Sequence, residues 1–149
     1  MQVVTEDAIA EVAGRLRLSA TRLARRLRQE AGMGLTPSQL AVLATVHGFG
    51  PLTLGALAER ERVAPPSITK AVAKLEADGL VQRAADPDDR RVQRVSCTPA
   101  GADLVAESRR RKTAWLTDRI GELDPESRDR LAAALDVLDA LTDPEGQAR

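Results

Sequence analysis

Ser67, Thr69, Lys70 and Lys74 lie within one short stretch that opens on Pro65-Pro66, and Arg90-Arg91 follow directly after Asp86-Pro-Asp-Asp. Short hydroxyls and ammonium groups on the outer side of a helix suit the DNA major groove. That groove is about 12 Å wide, and its base edges are read by hydrogen bonds. Arginine on a loop tip suits the minor groove, where narrow A·T tracts attract an inserted guanidinium. The chemistry on offer is non-covalent reading of duplex DNA.

Other chemistries lack their residues. The chain has one histidine (His47), one cysteine (Cys97) and two large aromatics (Phe49 and Trp115). A zinc centre, a Ser-His-Asp relay or a stacking platform for single strands needs more of these. Asp86, Asp88 and Asp89 form a carboxylate cluster, but they flank Pro87 on a turn with no base, nucleophile or metal partner. No catalytic residue, cofactor or metal is expected. Cys97 has no partner for an intrachain disulfide. Its neighbour two positions back, Val95, shares its face, so Cys97 is expected to pack as a small hydrophobe.

These side chains must be positioned by helices. Thr53 caps a short helix holding Leu54, Leu57 and Ala58, which ends near Arg62. Pro65-Pro66 opens the next, anchored by Ile68, Val72 and Leu75 at i, i+4 and i+7, with Gly79 as terminator. Its start is expected to offer free N–H groups to phosphate. Leu80–Ala84 and Arg91–Cys97 alternate mildly around the Asp86-Pro-Asp-Asp turn and predict a two-stranded hairpin. Arg94 is expected to face solvent. Helix-turn-helix followed by a hairpin with a charged tip is the winged-helix arrangement.

Longer helices flank this head. Ile9, Val12, Leu16, Ala20, Leu23 and Leu27 average a 3.6-residue spacing and predict a helix over 6–30, stopped by Gly32 and Gly34. Such a helix, about 37 Å long, exceeds what a small domain needs for its own core, so its stripe is free to face another chain. Thr36-Pro37-Ser38-Gln39 reads as a capping box, followed by Leu40, Leu43, Ala44 and Val46. Thr98-Pro99 starts a helix to about Ile120, and Asp124-Pro125 starts a last one with Leu131, Leu135, Leu138 and Leu141. The tail after Pro144 is expected to fray.

The chain has 149 residues and no net charge, yet charge is segregated. Residues 15–30 balance at +5 and 107–119 at +3, against −3 for 1–14 and −5 for 120–149. A neutral total therefore does not exclude a polyanionic partner, because the local field steers association. No apolar run approaches the roughly 20 residues of a membrane span, and the start lacks the pattern of a secretory signal. The expected location is cytoplasmic, with no membrane partner.

Four blocks together resemble the MarR/SlyA-type winged-helix bacterial transcriptional regulators. They are Leu57-Ala-Glu-Arg-Glu-Arg-Val-Ala-Pro-Pro-Ser-Ile-Thr-Lys, Leu75-Glu-Ala-Asp-Gly-Leu-Val-Gln-Arg, Asp86-Pro-Asp-Asp-Arg-Arg and Val95-Ser-Cys-Thr-Pro-Ala-Gly. The resemblance spans residues 6–142. In the last block the family usually carries leucine where Cys97 stands. The resemblance implies a mainly α fold with a small β-wing. Residues 1–35 and 98–149 would form a helical dimerisation region around a winged helix-turn-helix at 36–97. It further implies a homodimer on a pseudo-palindromic operator, a repressor modulated by a small aromatic or phenolic effector. Pro66, Ser67, Thr69, Lys70, Lys74, Arg90 and Arg91 are its expected DNA-binding residues, with Asp89 and Arg91 bracing the wing or touching phosphate. Arg26, His47 and Trp115 are candidates for an effector cleft. Peroxide-responsive members sense through a cysteine in the first helical region, and residues 1–35 contain none.

Blander readings stand beside these. His47 suits the last turn of a helix on dipole grounds, Trp115 suits packing between helices, and Lys74 suits bracketing phosphate. An alternative function is a winged-helix protein-interaction adaptor without DNA binding. Salt separates the two, because phosphate contacts release counterions and make affinity fall steeply with added salt.

Overall fold

The computed structural model describes residues 5–142. In chain order it holds α1 (Glu6–Ala31), α2 (Pro37–Phe49), β1 (Leu52–Thr53), α3 (Leu54–Glu61), α4 (Pro65–Ala77), β2 (Val81–Ala85), β3 (Gln93–Cys97), α5 (Pro99–Gly121) and α6 (Pro125–Thr142). The chain divides into two compact units, Met1–Lys112 and Thr113–Arg149, with the division inside α5. The tail expected to fray after Pro144 lies outside the described residues.

Side-chain caps set the helix starts. Thr36 Oγ1 accepts the Gln39 N–H at 3.2 Å, and Gln39 Oε1 accepts the Thr36 N–H at 3.0 Å, closing the expected capping box. Thr53 Oγ1 accepts the Ala56 N–H at 3.1 Å to begin α3, and Asp124 accepts the Ser127 N–H at 2.9 Å to begin α6. Thr98 does two things. Its oxygen accepts the Gly101 N–H at 3.1 Å, and its hydroxyl donates to the Gly79 carbonyl at 2.6 Å, tying the start of α5 to the end of α4.

The core lies between the helix-turn-helix, α2 and the sheet. Leu43, Val46, Leu57, Ile68, Val72, Leu75 and Val95 are all but sealed from solvent, and Val105 of α5 joins them. On α2 the buried residues are Val42, Leu43 and Val46, whereas the expected Leu40 and Ala44 are only half-buried. Gly101 permits this packing. A Cβ there would collide with the Leu80 carbonyl oxygen and lie 2.8 Å from Cys97 Sγ. Cys97 is half-buried against the core, and burial pushes its thiol above the ordinary value. That suits a packing residue and disfavours a reactive thiolate.

The sheet corrects the hairpin expectation. It has three strands in the order β1-β3-β2. The added strand is only Leu52–Thr53, paired antiparallel with Leu52 opposite Val95 and Thr53 opposite Arg94. Two residues cannot show alternation, so periodicity had nothing to report there. The hairpin register runs from Val81↔Cys97 to Ala85↔Gln93. Leu80 is thus outside the strand. It is spent on the helix end, where its N–H reaches Leu75 O at 2.9 Å and the Gly79 N–H reaches Glu76 O at 3.0 Å, the bonding of a Schellman motif with Gly79 at φ +72°. Arg91 and Val92 likewise belong to the wing loop, because Val92 turns its N–H to Asp89 O and its carbonyl to the Asp86 N–H.

The long helices bury little. Ala31 is the only buried residue of α1 among those described, and α6 has none. Ile9 and Val12 are 56% and 64% exposed, and Leu135 and Leu141 are 52% and 63% exposed.

Candidate nucleic-acid interface

Helix α4 has two faces. Ile68, Val72 and Leu75 anchor it in the core. Pro66, Ser67, Thr69, Lys70 and Lys74, the expected contact residues, are all exposed on the remainder. Before it, α3 ends in a tight turn at Arg62, which takes left-handed backbone at φ 52° and lets the Val63 N–H return to Ala58 O at 3.1 Å. The helix-turn-helix is therefore set by backbone bonds as well as by its core.

One expectation about α4 fails. Its start does not offer a row of free N–H groups. Pro65 and Pro66 have none, and the N–H groups of Ser67 and Ile68 both turn back to Ala64 O, at 3.0 and 3.4 Å. What this helix start presents outward is therefore its side chains. Among these, Thr69 Oγ1 donates to Pro65 O at 3.1 Å, which leaves its lone pairs outward. Lys74 Nζ lies 2.8 Å from Asp78, an exposed i,i+4 pair of small strength. Lys70 has no partner among the described residues.

The wing is built around a carboxylate. Asp86 is 6% exposed. One of its oxygens accepts the N–H groups of Asp88 (2.8 Å) and Asp89 (3.1 Å), and the other pairs with Arg94 Nε across the hairpin. The Arg94 guanidinium, with help from the two amides, holds the Asp86 carboxyl below its ordinary range. Arg94 is exposed as expected, with 44% of its side chain accessible, and its Nε also supplies the counter-charge that the buried Asp86 carboxylate needs. Asp89 Oδ1 accepts the Arg91 backbone N–H at 3.0 Å. The bracing expected of this pair runs through the backbone, and the side chains of Arg90 and Arg91 stay exposed with no partner among the described residues. Arg83 of β2 lies 3.2 Å from Glu76 and links wing to α4. Sequence reasoning missed Asp86 and Arg94 as positioning residues. The available signal was an Asp-Pro-Asp-Asp turn facing a strand arginine.

The three effector candidates are spread along the chain. Arg26 donates to Gln29 at 3.3 Å and pairs with Glu30 at 3.6 Å on α1. His47 is exposed in the last turn of α2. Trp115 is half-buried, with the Arg119 guanidinium 5.8 Å from its ring. The unit Met1–Lys112 has cavities of about 390 and 210 Å³. None of the three candidates lines either, whereas Arg28 lines both. Among the described residues no cluster of His, Cys, Asp or Glu could hold a metal, and no helix is long and apolar enough to cross a membrane.

Known proteins share this arrangement. The model of the MarR family matches residues 35–92, which contain α2 through β2 and the wing loop. An HTH-type transcriptional regulator of Mycobacterium bovis, Mb0904, is 42% identical over 92% of this chain and 96% of its own. A MarR family protein from Bacillus stearothermophilus superposes with TM-score 0.76 at 26% identity, covering 93% of this chain and 99% of that one. The Staphylococcus aureus MepR F27L mutant, solved bound to an oligodeoxyribonucleotide, shares the fold with TM-score 0.69 at 18% identity, over 89% and 98% of the two chains.

Proposed function

Because the chain belongs to the MarR family of HTH-type transcriptional regulators, we propose that it acts as a homodimer on a pseudo-palindromic operator. Ser67, Thr69, Lys70 and Lys74, after Pro66, enter the major groove. Arg90 reaches the adjoining minor groove, and Arg91 reaches phosphate. One observation carries this reading. On α4 and the wing, exposed cations without partners among the described residues (Lys70, Arg90, Arg91) stand on elements whose other sides are locked into the core or onto a buried carboxylate. Rigid presentation of unpaired charge lowers the ordering cost of binding.

Residues 1–35 and 98–149 form the dimerisation region and 36–97 the reading head. The exposed apolar residues of α1 and α6 support this division, since isolated chains rarely leave long apolar stripes uncovered. Two recognition helices must then sit about 34–36 Å apart to enter successive major grooves. A dimer seated on promoter DNA blocks access to it with no further contact, so repression is the proposed outcome. A small aromatic or phenolic effector would act only by binding unequally to the DNA-competent and incompetent spacings.

The test is fluorescence anisotropy with DNA from upstream of the protein's own gene, over a salt series. Retention at low salt and a steep linear fall of log affinity with log salt are expected. Weak, salt-insensitive association would favour the adaptor reading instead.

A further inference from the structure

The larger cavity, about 390 Å³, carries two opposite charges that do not meet. Arg28 of α1 and Glu61 of α3 both line it, yet no ion pair joins them, and the Arg28 guanidinium has no partner among the described residues. Glu61 is already oriented. One of its oxygens accepts the Thr45 hydroxyl from α2, and no hydrogen bond to the other oxygen exists among the described residues. Much of the remaining lining is apolar, including Val42, Val63, Ile68 and Ala71, and Ser67 borders it too.

A free donor-only cation and a half-free acceptor-only anion on one largely apolar wall complement a molecule carrying both charges on an apolar body. We propose that this cavity binds a small zwitterion, an amino acid or amino-carboxylate with an aromatic or aliphatic body. Its carboxylate meets Arg28, its ammonium meets Glu61, and its body lies on Val63, Ile68 and Ala71. The volume falls in the range of small-molecule sites. A simple anion would leave Glu61 facing like charge, and a simple cation would do the same to Arg28, so both charges are needed for the full affinity.

Ser67, Ile68 and Ala71 belong to α4, so the occupant touches the helix to which DNA contact has been assigned. For that consequence alone the inference rests on the proposed function. If the ligand engages Ser67, each partner weakens the other by the same factor.

The experiment titrates the DNA-free protein, by calorimetry and by amide NMR shifts, with two zwitterions, 4-(aminomethyl)benzoate and L-phenylalanine. The comparison ligands are 4-methylbenzoate and benzylamine, each with one charge only. At least one zwitterion is expected to bind roughly ten-fold or more tightly than either single-charge compound. It should shift amides at 38–42, 61–63 and 67–71. Arg28→Gln should remove that advantage while leaving benzylamine unaffected, and Glu61→Gln should remove it while leaving 4-methylbenzoate unaffected. Unchanged melting temperatures confirm that both variants fold, as expected for an exposed arginine and for a glutamine that still accepts from Thr45.

No shift at this cavity with either zwitterion up to millimolar concentration overturns the proposal. Equal affinity for the single-charge compounds, or variants without effect, overturns it equally. A second titration adds promoter DNA, whose affinity should fall on saturation with the zwitterion. Ligand binding without any DNA binding leaves the site standing and removes the proposed function, and the reverse result separates them the other way.

Discussion

The head between α2 and β3 and the long helices α1 and α6 spend their apolar residues in opposite ways. In the head, Leu43, Leu57, Ile68, Leu75 and Val95 are sealed within one chain. On α1 and α6, Ile9, Val12, Leu135 and Leu141 are more than half exposed, although their spacing is as regular as that of any core helix. Helical periodicity reports that a face needs cover, and says nothing of which chain supplies it. The head finds its cover within one chain, with Val105 of α5 added to it. The apolar stripes of α1 and α6 stay exposed, and the dimer proposed above would cover them.

Substitutions can break this contrast, beginning with the largest effect. Leu75→Ala should cost about 2–5 kcal/mol, read as a lower denaturation midpoint, because its cavity opens inside one chain. Val12→Asp should instead raise the dimer dissociation constant by more than about 100-fold while the head keeps its secondary structure. Sedimentation equilibrium with circular dichroism checks this. If Val12→Asp unfolds the head, the two regions are not separable in this way.

Smaller changes sharpen the account of the head. Lys70→Ala and Arg90→Ala should each weaken operator binding by about 1–3 kcal/mol with the fold intact. A salt slope lowered by about 1 in Lys70→Ala would assign that lysine to phosphate, and an unchanged slope would assign it to a base edge. Arg90→Ala should lose most on A·T-flanked operators, where the minor groove is narrow. Lys74→Ala should change affinity less, since its ammonium is shared with Asp78.

A pH series addresses the wing. Asp86 has a folded-state carboxyl held below its ordinary 3.8, so its contribution to wing order is complete above that value. It is lost as pH falls through the lower folded-state value. Hydrogen exchange of the wing amides should therefore accelerate in acid, and Asp86→Asn should flatten that dependence while speeding exchange near neutrality. A wing equally ordered in Asp86→Asn would remove the carboxylate from its role.

Much of this was legible in the residues. Thr36, Thr53, Thr98 and Asp124 mark helix starts because capping is local chemistry. Ile68, Val72 and Leu75 are legible as core because an i, i+4, i+7 stripe has one solution. Leu52–Thr53 was not legible, since a strand of two residues exists only through its partner β3. The Arg94–Asp86 pair escaped for the same reason, as hairpin register decides which side chains meet. The missing N–H groups at the start of α4 were in plain view as Pro65-Pro66. A helix that opens on two prolines has no N–H to give at its first two positions.

The proposed dimer fixes the spacing of two recognition helices, and hydroxyl-radical footprinting on the bound promoter measures it. Two protected patches related by a dyad and centred about 10 base pairs apart are expected, with flanking minor-groove protection that disappears in Arg90→Ala. A single patch, or protection without two-fold symmetry, would contradict a dimer that presents paired recognition helices to one face of the duplex.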